Sequence, residues 1–339
     1  MIPGRESRNF RLPQWRKPLL WLLLFLPALV PAARAGCTVA GDLDPATRAA
    51  LERTAQGYFQ MAARGDSAGL RQNAVAALAT DFAPVEAAVR DYQASFAAAQ
   101  PPQLRAVYLL EAEGPAPQER AEFFCGVWAT PGFTLFVLNK LAPGRYAIVA
   151  LEAKSGQSAY RLALVLAEQP QGWRLAGFYP RPAQVAGHDG AWFWEQARAY
   201  KSKKQYRNAW FYYLTARELL MLVPFMSNQQ LEEMSGELTG LPPQGLPGEK
   251  PVDFLAGGKV FKVAQVYVVP DEAGLLLVLQ HSVKDASQSG SNYTDNLALI
   301  RQWVATYPEY RDAFTAVVAR ASDASGRAYG SRLEMKDIP

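Results

Sequence analysis

Histidine and cysteine, the residues that build many catalytic and metal sites, are scarce in this chain. Its 339 residues include two histidines and two cysteines. Two cysteines exclude a four-cysteine zinc site and a dense disulfide scaffold, and two histidines far apart in sequence do not support a histidine-rich metal site. His188 precedes a predicted helix and His281 ends a predicted strand. Neither comes with the nucleophile and orienting group that a histidine-dependent triad needs.

The sequence patterns of several common enzyme classes are also missing. The chain contains no HExxH, CxxC or GxGxxG pattern. The letters GxSxG occur at residues 65–69, but between two predicted helices, whereas the serine-hydrolase motif needs a strand before it. Gly257-Gly258-Lys259 lacks the upstream glycine and the following Ser/Thr of a phosphate-binding loop. We therefore predict no metal and no cofactor.

A hydrophobic run long enough to cross a membrane is lacking as well. The apolar stretch 18–30 has 13 residues, whereas a membrane-spanning helix needs about 20. Basic residues precede it, and Ala33-Arg34-Ala35 follows it with the small-x-small pattern that signal peptidase recognises. Residues 1–35 are therefore predicted to be a cleaved signal peptide, which implies a secreted or periplasmic protein. The alternative is an uncleaved N-terminal anchor.

An excess of charge of one sign is absent once the leader is set aside. The formal net charge of the whole chain is +4, but residues 1–35 contain six Lys/Arg and one acid. The remainder has 29 basic and 30 acidic residues, a net charge of −1. Such a balance gives no global electrostatic reason to bind nucleic acid or an anionic membrane. We predict no nucleic-acid partner and no transmembrane segment in the mature chain.

The two cysteines, Cys37 and Cys125, both lie beyond the predicted leader. In an oxidising compartment an isolated pair usually forms a disulfide, and we predict that bond here. Two alternatives stay open: two unpaired thiols, or a lipid anchor at Cys37. The tail Ala35-Gly36-Cys37 resembles the end of a bacterial lipobox, although Arg34 stands where that motif normally has leucine. This tail and the Ala/Arg/Gly/Pro-rich composition indicate a bacterial protein.

The mature chain begins with helices and continues with strands. Helical spacing covers about 43–98, and strand patterns follow over 104–179. In the segment 160–167 large residues alternate with mixed ones, which indicates a sheet with one core face. This order predicts an α+β fold with a curved antiparallel sheet.

Two short segments carry a family resemblance. FQMAARGD (59–66) ends the first amphipathic helix, and GWRLAGF (172–178) forms the last strand. Their order and spacing over 44–182 resemble the nuclear-transport-factor-2-like superfamily, also called the ketosteroid-isomerase-like cone. The resemblance implies a sheet that wraps around a pocket, in which the enzymes of the superfamily use a buried acid with a tyrosine or tryptophan.

The candidates for such a pocket in this chain are Tyr108, Glu111, Trp128, Tyr146, Glu152 and Tyr160. A carboxylate in an apolar pocket can act as a base while a tyrosine hydroxyl stabilises an oxyanion. No family motif assigns any of these positions. The main expectation is therefore that no residue is catalytic, that the aromatic residues fill the cone and that the acids face solvent. Tyr108, Glu111, Tyr146 and Glu152 remain a catalytic alternative.

Residues 190–226 return to helical spacing and resemble a single tetratricopeptide-like hairpin. The small residues Ala197, Ala209 and Ala216 stand where the two helices of such a unit approach each other. One hairpin cannot bury its own apolar face, so we expect it to pack on the cone domain, which is its nearest neighbour in sequence. The aromatic residues outside the small-residue seam are predicted to form a docking or binding surface: Trp192, Trp194, Trp210 and Phe211.

The predicted organisation has five parts. They are a signal peptide (1–35), a cone-like α+β domain (36–182), the helical hairpin (183–240), a Pro-rich linker (241–251) and a small ββαββ-type domain (252–339). The linker carries four prolines and two glycines in eleven residues, a composition typical of a stiff, irregular connection.

These features together favour an exported binding or scaffolding protein without catalytic activity. Its partner would be a protein or a small apolar ligand. The alternative is a cone-fold isomerase or hydro-lyase that uses a buried acid and a Tyr or Trp. An enzyme of that kind needs an acid and an aromatic residue converging in an open pocket, whereas a binding module needs a filled cone and an exposed aromatic patch.

The leader generates a direct prediction. In N-terminal sequencing, the exported protein is expected to begin at or near Gly36, because the alanines at 33 and 35 match the small-x-small pattern that signal peptidase recognises. An Ala35→Leu variant serves as the matched control and is expected to be cleaved poorly at this bond. Retention of residues 1–35, or a lipid on Cys37, would show that the leader is something else.

Overall fold

Each half of the described chain is organised around a five-stranded sheet. The structure, a computed structural model, describes residues 34–127, 130, 132–156, 158–241, 245–248 and 250–339. The predicted leader lies outside these residues except for Arg34 and Ala35, and so do Trp128 and part of the predicted linker. The described residues belong to one compact unit. Among them, no helix is long and apolar enough to cross a membrane.

After a short first strand that the sequence did not predict, the described part of the first half consists of helices followed by strands, as expected. Its helices are α1 (Pro45–Ala63), α2 (Ser67–Gln72), α3 (Ala76–Thr80) and α4 (Ala83–Ala97). Its strands are β1 (Arg34–Val39), β2 (Gln103–Glu113), β3 (Gln118–Cys125), β4 (Thr134–Leu141), β5 (Gly144–Ser155), β6 (Ser158–Gln169) and β7 (Gly172–Pro182). The predicted α+β class is confirmed.

Local signals set the limits of α1. The Asp44 carboxylate accepts the backbone N–H of Thr47 at 2.9 Å, and Pro45 fits the first turn because its missing N–H has no partner there. Gly65, with φ +71°, terminates the helix in a conformation that other residues adopt at a cost.

The main sheet of this half has the order β1-β2-β5-β6-β7 and is antiparallel throughout. One face, which includes Val107, Val149 and Leu164, packs on the helices in a core with Phe59 and Phe96. The opposite face packs on a three-stranded sheet of order β3-β4-β8, in which β8 is Met226–Asn228.

The expectation of a single core face for 160–167 is therefore wrong. Residues 162–167 are all buried, because α1 and α4 cover one face of β6 and the three-stranded sheet covers the other. A strand with two covered faces loses the alternation of apolar and polar residues. The space between helices and sheet is filled by apolar side chains, among them Leu51, Phe59 and Leu162.

The middle of the chain is a helical hairpin, and the segment that follows it packs against the first half. The hairpin consists of α5 (Gly190–Ser202) and α6 (Tyr206–Leu220), and α7 (Gln229–Thr239) follows β8. Ala197, Ala209 and Ala216 are fully buried, as the close approach of the two helices requires. After α6, Met221 and Val223 enter the core between the two sheets of the first half.

The second half is a sheet of order β13-β12-β11-β10-β9. Its strands are β9 (Val252–Ala256), β10 (Lys259–Asp271), β11 (Gly274–Ser282), β12 (Ala316–Ser322) and β13 (Ala328–Glu334), and helix α8 is Ser289–Thr306. β11 and β12 are parallel and are connected through α8, while the other pairs are antiparallel. The predicted ββαββ order is present, with β9 as an additional strand.

The hairpin shares its core with the second half, although the sequence predicts that it packs on the first half. Tyr200 and Tyr212 donate their hydroxyl protons to the backbone oxygens of Asp312 (2.7 Å) and Ala313 (2.8 Å). The rings of Phe211 and Phe314 lie 5.9 Å apart. The Pro-rich linker does not separate the two parts in space, because the buried Leu241 belongs to the same core.

The predicted disulfide is present between Cys37 of β1 and Cys125 at the end of β3. The two residues are separated by 88 positions, so the bond joins an edge of the main sheet to the three-stranded sheet that covers it. A lipid at Cys37 would need the same sulfur atom and is incompatible with this bond.

The long loop closed by this bond predicts a large effect of reduction. A Cys37→Ala/Cys125→Ala double variant is expected to lose roughly 4–5 kcal/mol of unfolding free energy, because the unfolded chain regains loop entropy. Urea unfolding monitored by fluorescence measures the loss, and wild-type protein treated with a phosphine reductant is the matched comparison. Equal midpoints for the oxidised and reduced proteins would contradict the prediction.

Candidate functional site

The four aromatic residues predicted to form a binding surface lie on the α5–α6 hairpin in different environments. Trp194 and Phe211 are buried, with 7% and 2% of their surface exposed. Trp192 and Trp210 are half-buried and line clefts. The structure therefore separates the predicted surface into two structural residues and two that remain accessible.

Trp194 takes part in a polar cluster around Glu237 of α7. The Glu237 carboxylate accepts hydrogen bonds from the Trp194 indole N–H (3.3 Å), the Tyr213 hydroxyl (2.5 Å) and the Arg198 guanidinium (Nε at 3.0 Å). The Arg198 guanidinium also lies 4.2 Å from the centre of the Trp194 ring. These contacts join α5, α6 and α7, and sequence reasoning missed them because α7 itself was not predicted.

The electrostatics of this cluster follow from its donors. The hydrogen bonds from Arg198, Tyr213 and Trp194 outweigh partial burial and lower the pKa of Glu237 to about 2. Burial, together with the negative Glu237, raises the pKa of the Tyr213 hydroxyl. The charged carboxylate is thus bound by three donors and serves to hold the helices together.

Trp192 forms one wall of a cleft at the junction of the hairpin and the second sheet. The His188 ring stacks on the indole with 3.7 Å between ring centres and 14° between planes. The cleft has a volume of about 380 Å³ and is also lined by Glu272 and Asp312. One face of the Trp192 indole is therefore covered by His188.

Trp210 lies in a second, more apolar groove along α6. The groove has a volume of about 260 Å³. Its walls are α6, the end of β7 and the second half of β10, represented by Leu214, Pro182 and Val268. Polar groups at its margin are paired, since Arg181 forms an ion pair with Glu218.

A larger cleft of about 940 Å³ adjoins both the Trp192 cleft and the Trp210 groove. It lies between the turn that follows β10 and a surface with Tyr92 and Tyr160, and it shares Val185 and Pro270 with the Trp210 groove. It shares Glu272 with the Trp192 cleft. Tyr160, a candidate for the cone pocket, thus lies at the rim of a surface cleft.

The two acids of the catalytic alternative are both paired with arginine. The Glu111 carboxylate lies 3.3 Å from Arg145 Nε. The Glu152 carboxylate lies 3.2 Å from Arg161 Nη2 and 3.4 Å from Arg105 Nε. An arginine partner stabilises the ionised form of a carboxylate, which is the opposite of the apolar environment that a raised pKa requires.

The two tyrosines do not meet these acids. Tyr108 packs edge-on against Phe136, with 4.9 Å between ring centres, on the face covered by the three-stranded sheet. Tyr146 donates its hydroxyl proton to the Ala142 backbone oxygen at 2.9 Å. Glu111 is three positions from Tyr108 along β2, so the two side chains point to opposite faces of the sheet. Glu152 is six positions from Tyr146 along β5, a distance of about 20 Å.

The two histidines have separate roles in the structure. His188 stacks on Trp192, as described above. The buried His281 makes a 2.7 Å hydrogen bond through Nε2 to Asn296 Oδ1, and burial lowers its pKa. Within the described ranges, no group of three or more His, Cys, Asp or Glu side chains is arranged to hold a metal ion.

The comparisons with known proteins add no relative. No family model, no curated protein and no solved structure matches this chain.

The Glu237 cluster generates a pH prediction. The folded-state pKa of Glu237, about 2, lies below the ordinary glutamate value of 4.5, so the carboxylate stabilises the fold above about pH 4.5 and this contribution is lost as the pH falls towards 2. Glu237→Gln is expected to lower the unfolding free energy at pH 7 by about 1–3 kcal/mol, the usual effect of hydrogen bonds to a charged group.

Thermal unfolding between pH 7 and pH 2 measures both effects. Below pH 4.5 the difference between wild type and Glu237→Gln should shrink. Glu233→Gln, an exposed position one turn earlier on α7, is the control and should change stability little at either pH. A Glu237→Gln variant as stable as wild type at pH 7 would contradict the assigned role.

Proposed function

We propose that this chain is an exported, non-catalytic binding protein and that the groove beside Trp210 is its binding site. The occupant is a segment of a protein partner or a small apolar ligand. The observation that carries the proposal is the placement of Trp210 itself. Its half-buried indole packs against the shared core and at the same time lines an apolar groove, which is where binding energy concentrates in protein interfaces.

Several observations support the individual parts of this proposal. The leader pattern supports export, and the Cys37–Cys125 disulfide is consistent with an oxidising compartment. The filled space between helices and main sheet, together with arginine-paired acids, supports a role without catalysis. The order of helices and antiparallel strands over 45–182 also supports a proposed relation to the nuclear-transport-factor-2-like superfamily.

The test compares two neighbouring aromatic residues on α6. Trp210→Ala is expected to remove most of the groove's binding capacity and to cost about 1–2 kcal/mol of stability, because the indole is only partly buried. Phe211→Ala, at a fully packed site, is expected to cost about 3–5 kcal/mol. Thermal unfolding gives the stabilities, and an apolar fluorescent dye, anilinonaphthalene sulfonate, reports on the groove.

A variant at another exposed apolar residue controls for non-specific dye binding. Leu255 is 64% exposed on β9, and Leu255→Ser should leave dye binding unchanged. Undiminished dye binding by folded Trp210→Ala would show that the groove is not the site. A loss of stability as large as that of Phe211→Ala would assign Trp210 a structural role instead.

A further inference from the structure

The second half of β10 has a paired side and an unpaired side. β9 pairs with β10 only over Lys259–Val263, where a bulge follows. From Gln265 to Asp271, β10 pairs with β11 on one side, and no described strand pairs with it on the other. Unpaired backbone N–H and C=O groups along such an edge can accept an additional strand.

The Trp210 groove runs along this edge. Val266, Tyr267 and Val268 all line the groove, although successive side chains of a strand point to opposite faces. Val266 and Val268 pack on the shared core beneath the sheet, and Tyr267 is not part of that core. A groove that contacts three consecutive residues therefore lies beside the strand and its backbone, between β10 and α6.

The edge differs from that of β7, which ends in the same groove. Pro180 and Pro182 of β7 have no backbone N–H to donate. Residues 265–269 of β10 contain no proline and consist largely of β-branched and aromatic residues, which favour strands. Pro270 ends this run. The β10 edge (Gln265–Val269) is thus the side of the groove that can form main-chain hydrogen bonds.

The size of the groove and the charge beside it restrict what can bind there. A dry apolar cavity of about 150 Å³ takes one benzene molecule, so a volume of about 260 Å³ suits two apolar side chains. In an extended chain, these are side chains at alternate positions. Glu272, at the turn that ends β10, lines the larger cleft and the Trp192 cleft, beside the groove. It is exposed and forms no ion pair within the described part of the chain. A basic residue next to the apolar pair would complement it.

We infer that the groove binds an extended segment of a partner protein as an added strand along the β10 edge. The segment has apolar side chains at alternate positions and a basic residue that meets Glu272. This inference rests on the proposed function of the groove and specifies its occupant. Symmetric pairing with a second copy is disfavoured because α6 flanks the edge and leaves only the width of the groove.

The test uses a labelled seven-residue peptide in which valine alternates with threonine and which ends in lysine. Fluorescence polarisation measures its affinity for the full chain. Two further peptides carry N-methyl groups on the valine amides or on the threonine amides. Because donors alternate along a strand, methylation of one set is expected to weaken binding at least tenfold and methylation of the other set less than threefold.

The control variants separate the inference from the proposal on which it rests. Trp210→Ala should weaken binding of the unmethylated peptide at least tenfold. Glu272→Gln should weaken it about threefold, and should not change the affinity of a peptide that ends in glutamine. If the dye depends on Trp210 but the peptide does not bind, or both methylated peptides bind equally, strand addition is wrong while the groove remains a binding site.

Two other outcomes have equally definite meanings. If Trp210→Ala binds the dye as well as the wild type does, both the inference and the proposed function are wrong. A wild-type dimer in sedimentation equilibrium that Trp210→Ala dissociates would assign the edge to a second copy of the chain and overturn the inference of a separate partner.

Discussion

Burial of helix α6 on several sides is the constraint on which the rest of the structure depends. A helix that is apolar around most of its circumference must be surrounded. Its buried residues include Ala209, Phe211 and Tyr213, which face α5, the second sheet and the Glu237 cluster. Its last turn is tied to the first half, since Arg161 of β6 donates to the Leu219 backbone oxygen at 2.9 Å. A positive group at a helix C-terminus is favourable because the carbonyls there carry partial negative charge. The two five-stranded sheets thus share one central helix, α6.

The grooves around α6 follow from the same arrangement. A single helix cannot cover both the core face of the second sheet and the edge of its strand β10. α6 covers the face through Phe211 and leaves Trp210 beside the edge. The bulge after Val263 ends the pairing of β10 with β9, and bulges commonly end pairing in this way. Buried and accessible aromatic residues therefore occur next to each other on one short helix, which explains how a dense aromatic cluster serves both packing and recognition.

Local patterns were sufficient to predict most elements of the fold. Asp44 with Pro45 marked the start of α1, and period-two patterns marked the strands from β2 to β7. Other elements were missed: β1, β8 and β9 are short, and α7 begins directly after a strand. Short strands bury little surface of their own and form because a neighbour is already in place. In the candidate site, the sequence identified Trp192 and Trp210 by composition, but Glu237 and the β10 edge had no local signal.

The sequence by itself determined the features that depend on contacts within a few residues or on the number of residues of one type. The helices, the strands, the α+β class and the pairing of the only two cysteines are of this kind. Only the tertiary structure decided which surfaces meet. Composition placed a boundary at the Pro-rich segment, yet Leu241 is buried in the core that the hairpin shares with the second sheet. The choice between the two sheets depends on which apolar faces remain uncovered after each has formed. The three-stranded sheet and the helices cover both faces of the first sheet, so the hairpin buries its aromatic residues on the second.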